Sequence, residues 1–397
     1  MRLLRGVNRE LDRLVANTPE QRDRYVDFLR VLAIGVVVVW HWSLSVLYWS
    51  GQRWVMPNPI HEVPGSWLAT WLLQIVTVFF IVGGYANSAA WYAARRGGGL
   101  AGYYRTRLRR LLQPVLVFLA VWAVIELVAH LLVPGYPGVL RYGLILFTPL
   151  WFIAAYLWVV LLTPLTASLH ARAPWLTVGV LAGVVAAADL GRFAAGLTAL
   201  GWVNSALVWV LVHQFGYFFR DGRLARLGRW GAIGLAAAAV VGLALLTSLE
   251  PYPRSMVATV DAPRSNILPT TAPIALVALL QLGVIMLVRA PATRWLRRDR
   301  AWKPVVAGNA VILTVFVWHM TALLVVLELL RAAGVDLRTQ PTLAWWLERP
   351  FWVVAPAAVL TVLVAVFGRF EWAAGRGSRG VGRMAGTSYS DQDRRPS

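Results

Sequence analysis

Arg30 and His41 are the residues whose types and spacing most directly suggest chemistry. They sit in RYVDFLRVLAIGVVVVWHW, residues 24–42, which opens with charge and then runs apolar. Eleven positions separate them, about 1,100° of helical rotation, or three turns plus roughly 20°. Both therefore project from one helix face, about 16 Å apart along the axis. Asp27, one turn before Arg30, is placed to fix the guanidinium. Apolar residues continue to Trp49, so the stretch is long enough to cross a bilayer. An imidazole at that depth is costly in hydrocarbon, and His41 is expected to look into the protein. The bland reading is a packing histidine with its ring N–H on a carbonyl. The functional one is a general base that takes a proton from a hydroxyl.

Two further titratable groups lie at a similar depth. Counted from the starts of their apolar runs, Glu126 and His319 sit about as far into the bilayer as His41, which predicts a shared polar chamber just past the midplane. Arg107 and Arg110, in YYRTRLRRLLQP, lie three apart at a helix start. Paired guanidiniums there suit phosphate or pyrophosphate, although such arginines more often serve as topology anchors, the better reading for Arg105 and Arg109. Gly83 and Gly84 fit close helix packing, with Asn87 a polar contact near the inner surface. His130, one turn after Glu126, is placed to pair with it. His213 and Gln214 read as packing contacts, and His61 and His170 as loop or interface residues.

The elements that must position these groups are membrane helices. Of the 397 residues, 58% are hydrophobic and 14% charged, with mean hydropathy +0.61, far from a soluble composition. Ten spans are expected, near 28–49, 67–92, 112–133, 145–167, 175–190, 197–219, 230–249, 267–288, 305–330 and 350–368. Of the 38 Lys and Arg residues, 29 fall in the two termini and alternate loops, against 8 in the intervening loops. By the positive-inside rule both termini are cytoplasmic. The net charge of +20 is thus topology and attraction to the lipid bilayer, and nucleic acid is excluded as a partner. Three parts follow: a cytoplasmic N-terminal segment, 1–24; a ten-helix transmembrane domain, 25–372; and a tail, 373–397, expected to be disordered. The fold class is all-α and polytopic. There is no cysteine, hence no disulfide, thiol nucleophile or cysteine-held metal, and no metal is expected. Arginine used almost to the exclusion of lysine suggests a GC-rich bacterial genome and a plasma-membrane location.

DFLRVLAIGVVVVWH resembles the opening helix of the membrane-bound acyltransferase 3 family, whose signature is an arginine and a histidine separated by ten residues. VFFIVGGY is similar to that family's FFxxSGY segment, RTRLRRLLQP to its basic cytoplasmic segment, and PLWFIAAYLWVV to its WFL span. SNILPTTAPIAL and the late VFVWH are similar as well. The resemblance runs from about residue 22 to 330. It implies transfer of an acyl group, usually acetyl, from cytoplasmic acyl-CoA to a hydroxyl of a carbohydrate or other small molecule of the cell envelope. It makes Arg30 and His41 the catalytic pair and lets Arg107 and Arg110 hold the CoA phosphates. Gly83 stands where the family has serine, so no role for that hydroxyl carries over.

The expectation is therefore an O-acyltransferase with His41, Arg30, Asp27, His319 and Glu126 at its centre. Acyl-CoA, with acetyl-CoA the expected form, is the donor; self-association into a homo-oligomer is left open. The rival is a proton-coupled transporter or flippase in which His41, Glu126 and His319 relay protons. No inverted repeat supports it.

Overall fold

A chain this apolar must satisfy its backbone groups internally, and it does so almost wholly with helices. The computed structural model describes residues 2–384 apart from 21, 52, 143–144 and 259–263, with side chains described except at 2–8, 61, 140 and 373–384. In chain order the helices are α1 Arg2–Ala16, α2 Arg24–Ser43, α3 Trp67–Leu73, α4 Val76–Ala94, α5 Gly99–Leu132, α6 Thr148–Arg172 and α7 Pro174–Ala194. There follow α8 Leu200–Arg220, α9 Gly228–Thr247, α10 Ala272–Trp295, α11 Asp299–Ala310, α12 Ile312–Ala332, α13 Leu343–Leu347 and α14 Arg349–Met384. A two-stranded hairpin, β1 Tyr48–Trp49 and β2 Trp54–Val55, pairs antiparallel after α2.

Nine helical stretches among the described residues are long and apolar enough to cross a membrane. The tenth span expected from the sequence, α8, is 21 residues long and carries Asn204, His213 and Gln214, all buried. Leucines and valines exposed on α5, α7, α9 and α14, such as Leu131 at 74% and Val354 at 68%, form the lipid-facing surface. α12 is the central post: Val317, His319, Met320, Ala322, Leu323 and Leu327 are fully buried.

α2 starts where Asp23 Oδ1 accepts from the backbone N–H groups of Tyr25 and Val26 at 3.1 and 3.2 Å, a capping arrangement. Its buried side is Tyr25, Val26, Leu29, Ala33, Ile34, Val38 and Trp42, the three-and-four spacing of one helix face. Tyr25 donates to the Ile285 carbonyl of α10 at 2.9 Å, and Trp42 Nε1 to the His319 carbonyl of α12 at 3.0 Å. The helix is thereby pinned at both ends.

α4 crosses α8 with backbones nearly touching. A Cβ on Gly84 would lie 2.0 Å from the His213 carbonyl oxygen, and one on Gly216 2.0 Å from that of Ile81. Close packing thus accounts for Gly84. Gly83 instead faces the Tyr156 ring, whose Cε2 would sit 2.7 Å from a Cβ there.

Boundaries differ from the sequence reading in several places, among them α3 and α4, which divide the span expected at 67–92, and α5, which begins at Gly99. The apolar run to Trp49 leaves the helix after Ser43 and turns into the hairpin. The span expected at 305–330 is two helices, α11 and α12, broken at Val311. The freed N–H groups of Leu313 and Thr314 donate to Glu371 of α14 at 3.1 and 2.7 Å, with the Thr314 hydroxyl at 2.8 Å. A buried carboxylate therefore replaces the missing helical turn. Finally, α14 runs on through residues 373–384, the first part of the expected tail; residues 385–397 lie outside those described.

Candidate active site

α2 and α12 bring His41 and His319 together. His41 Nδ1 and His319 Nε2 are 2.9 Å apart, and the rings stack with centroids 5.2 Å apart at 13°. On the far side of the pair, His319 Nδ1 lies 2.5 Å from the Phe316 carbonyl oxygen. A carbonyl only accepts, so Nδ1 of His319 carries the proton and its Nε2 has a lone pair. His41 must then donate from Nδ1, which leaves His41 Nε2 unprotonated. His319 is fully buried, whereas His41 is partly open and lines a cavity with an empty volume of about 930 Å³, counting its mouth. The arrangement leaves one unprotonated nitrogen on a residue that lines that cavity and fixes its tautomer through His319.

The walls of this cavity come from α2, α4, α6 and α12, from the end of α3 and its link to α4, and from the loop before α10. They are almost entirely apolar, with Phe79, Trp151, Phe152 and Phe316 prominent.

Toward the Arg-rich end lies a second cavity of about 1030 Å³, counting its mouth, lined by Arg22, Arg30, Arg107 and Arg110 together with Asp27 and Glu371. Four guanidiniums against two carboxylates leave two positive charges. Asp27 joins two of the arginines: Arg22 Nε donates to Oδ2 at 2.5 Å and Arg30 Nη1 to Oδ1 at 3.2 Å. Asn309 of α11 completes the clamp, accepting from Arg30 Nη1 at 3.3 Å and donating to the Asp27 carbonyl at 3.0 Å. Arg107 donates from Nη2 to the Ala86 carbonyl, while its Nε and the buried Asn87 Oδ1 have no hydrogen-bond partner among the described residues. The unpaired Arg107 Nε–H, a charged donor beside a basic cavity, suits an anionic ligand, whereas Asn87 Oδ1 can only accept from a donor.

Phe79 is the one residue among those described that lines both cavities. Its ring meets Phe152 and Tyr156 edge-on at 4.9 and 5.2 Å, and Phe152 meets Phe316 at 4.8 Å. An aromatic partition separates the basic nitrogen from the arginines.

Of the residues expected at the centre, Arg30, Asp27, Arg107 and Arg110 share the basic cavity, and His41 and His319 touch. Glu126 does neither and is not in their chamber. Phe118 packs on Trp318 at 5.2 Å and Trp122 Nε1 donates to Thr321 at 3.2 Å, so α5 is level with His319 at residues 118–122. Glu126 lies a turn beyond. It accepts from the Val139 N–H at 3.0 Å and from the Tyr136 hydroxyl at 3.1 Å, with His130 Nδ1 at 3.5 Å. It ties down the 136–139 loop. The depth estimate failed because α5 begins at Gly99, well before its apolar run.

His213 Nε2 is 3.1 Å from Asn87 Nδ2, and His170 Nε2 is 3.1 Å from Asp221. The side chain of His61 lies outside those described. The sequence reading missed Arg22, Asn309 and Glu371. A carboxylate near the inner end of the last span was the available signal for Glu371; Asn309 offered none.

A family model described as an acyltransferase domain matches residues 23–369, a range that takes in every residue of both cavities except Arg22 and Glu371. No curated protein and no solved structure matches the chain.

Proposed function

Because the chain belongs to the acyltransferase-domain family, we propose that this multi-pass membrane acyltransferase takes its acyl group from acyl-CoA, most simply acetyl-CoA, and passes it to a hydroxyl. The Arg-rich end is assigned to the cytoplasm of a bacterial cell on the asymmetry of loop charge. The donor's phosphates rest against Arg107 and Arg110 in the basic cavity. Its pantetheine arm runs along α2 past Arg30, and the thioester reaches the partition beside His41. The roughly 16 Å between Arg30 and His41 suits such an arm.

His41 Nε2 removes the proton of the acceptor hydroxyl as the oxygen attacks the thioester carbonyl. The carbon–sulfur bond then breaks, and the His41 imidazolium returns that proton to the departing thiolate, giving free CoA thiol and an ester. His319 keeps the reactive nitrogen aimed and accepts the Nδ1 proton of His41 throughout, so it acts as a positioning residue. Arg30, held by Asp27 and Asn309, is too far along the helix to touch the reacting carbon and serves the donor's entrance.

One observation carries the reading: the chain of hydrogen bonds from the Phe316 carbonyl through His319 to His41, which leaves a single lone pair on a histidine that lines a cavity. The test is thiol release and label transfer from acetyl-CoA by the purified protein. His41→Ala that inserts and folds is expected to lose both; transfer at the wild-type rate would remove His41 from the mechanism.

A further inference from the structure

The two cavities that meet at Phe79 differ in chemistry, and the difference bears on the acceptor. Resting on the reading that His41 is the base and that the donor occupies the basic cavity, we infer that the acceptor is an alcohol with an apolar body, its hydroxyl carried on a hydrocarbon or similarly lipophilic frame.

Among the described residues no Asp, Glu, Lys or Arg lines the His41 cavity, and beyond His41 its polar side chains are Gln74, Thr148 and the two indoles. A free sugar brought to His41 would bury several hydroxyls against phenyl, indole and aliphatic walls. Each hydroxyl left without a partner weakens binding. A hydrocarbon body loses nothing there and gains from every methylene it removes from water. The rim is of the same kind: Leu73 and Leu268 line the cavity and are 42% and 49% exposed. That leucine rim lies at the end of the bundle away from the arginines, near the starts of α4, α6 and α10. One hydroxyl at His41 Nε2 and an apolar remainder filling the space match what the walls offer.

The full-length protein in lipid nanodiscs is given acetyl-CoA and a series of primary n-alkanols from butanol to octanol, with free glucose alongside. Ester formation and thiol release are both measured. The expected result is a rise in kcat/KM of about three- to fourfold per methylene, with glucose a poor acceptor. Partition into the nanodisc lipid is common to all variants. Leu268→Asn and Leu73→Asn, both at exposed positions, are therefore run in parallel and are expected to flatten the series relative to the wild type.

A series equally steep in both variants overturns the inference, as does glucose equalling octanol. A third result, steepness that follows the acyl chain of the donor rather than the alcohol, gives the cavity to the donor's tail and also overturns it. Failure to release thiol from acetyl-CoA with any acceptor overturns the acyl-transfer reading itself, and this inference with it.

Discussion

At the scale of single residues, the decisive relation is between two rings and one carbonyl. His319→Ala removes the acceptor for His41 Nδ1 and frees the ring to take the other tautomer. The expected outcome is a fall in kcat of about 10²-fold with little change in KM for acetyl-CoA, read from thiol-release kinetics. His319→Gln, whose side-chain oxygen can accept the same proton, should recover part of the loss. Across the partition, replacing Arg107 and Arg110 together by Ala should raise KM for acetyl-CoA at least tenfold while leaving kcat near normal, since each charge-assisted hydrogen bond is worth about 1.5–3 kcal/mol. An unchanged KM would leave those arginines as anchors only. How far these residues could be read from the sequence follows from where each lies. Arg30 and His41 are on one helix, and the 3.6-residue period alone puts them on one face. His319 was legible by depth, but the same counting misplaced Glu126, because the start of an apolar run is not the start of a helix. Asn309 was hidden, because it meets Asp27 only after α11 has packed on α2; Arg22, five residues before Asp27, bonds it from the turn ahead of α2.

At the scale of elements, two devices hold the centre. The α4–α8 crossing depends on glycine at positions 84 and 216, where any Cβ would meet a backbone oxygen at 2.0 Å. Gly84→Leu should therefore separate the helices, lowering stability by more than about 3 kcal/mol, and abolish the folded, monodisperse species in detergent thermal denaturation. The second device is the carboxylate cap on α12. Glu371→Ala strands the Leu313 and Thr314 N–H groups in the bundle, at about 1–3 kcal/mol for each unsatisfied group. Since α12 carries His319, activity should fall together with melting temperature. Glu371→Gln keeps one acceptor oxygen and should be milder on both measures. The break between α11 and α12 could not be read from hydropathy, because the apolar pattern continues across Val311. It becomes intelligible only once α14 supplies the missing hydrogen-bond acceptor.

For the whole molecule, the arginine asymmetry and the ten apolar runs already defined a polytopic bundle, since hydropathy reports spans directly. The division of the interior could not be seen, because cavities are what packing leaves over and no local pattern encodes them. Phe79→Ala should join the two cavities. The expected outcome is a several-fold increase in acetyl-CoA hydrolysis without any acceptor, measured as thiol release, because water gains a path to the thioester. Unaltered hydrolysis would show that the phenyl ring is not the barrier. That single ring has a wider consequence. A cell that modifies molecules on the far side of its membrane must not let protons or ions leak through the machinery that does so. If the donor of the proposed reaction is held on the arginine side of Phe79, only its acyl group has to reach past the ring. Under the proposed reaction the bundle would then stay sealed to ions while the driving force of the thioester is delivered to the acceptor's side of the ring.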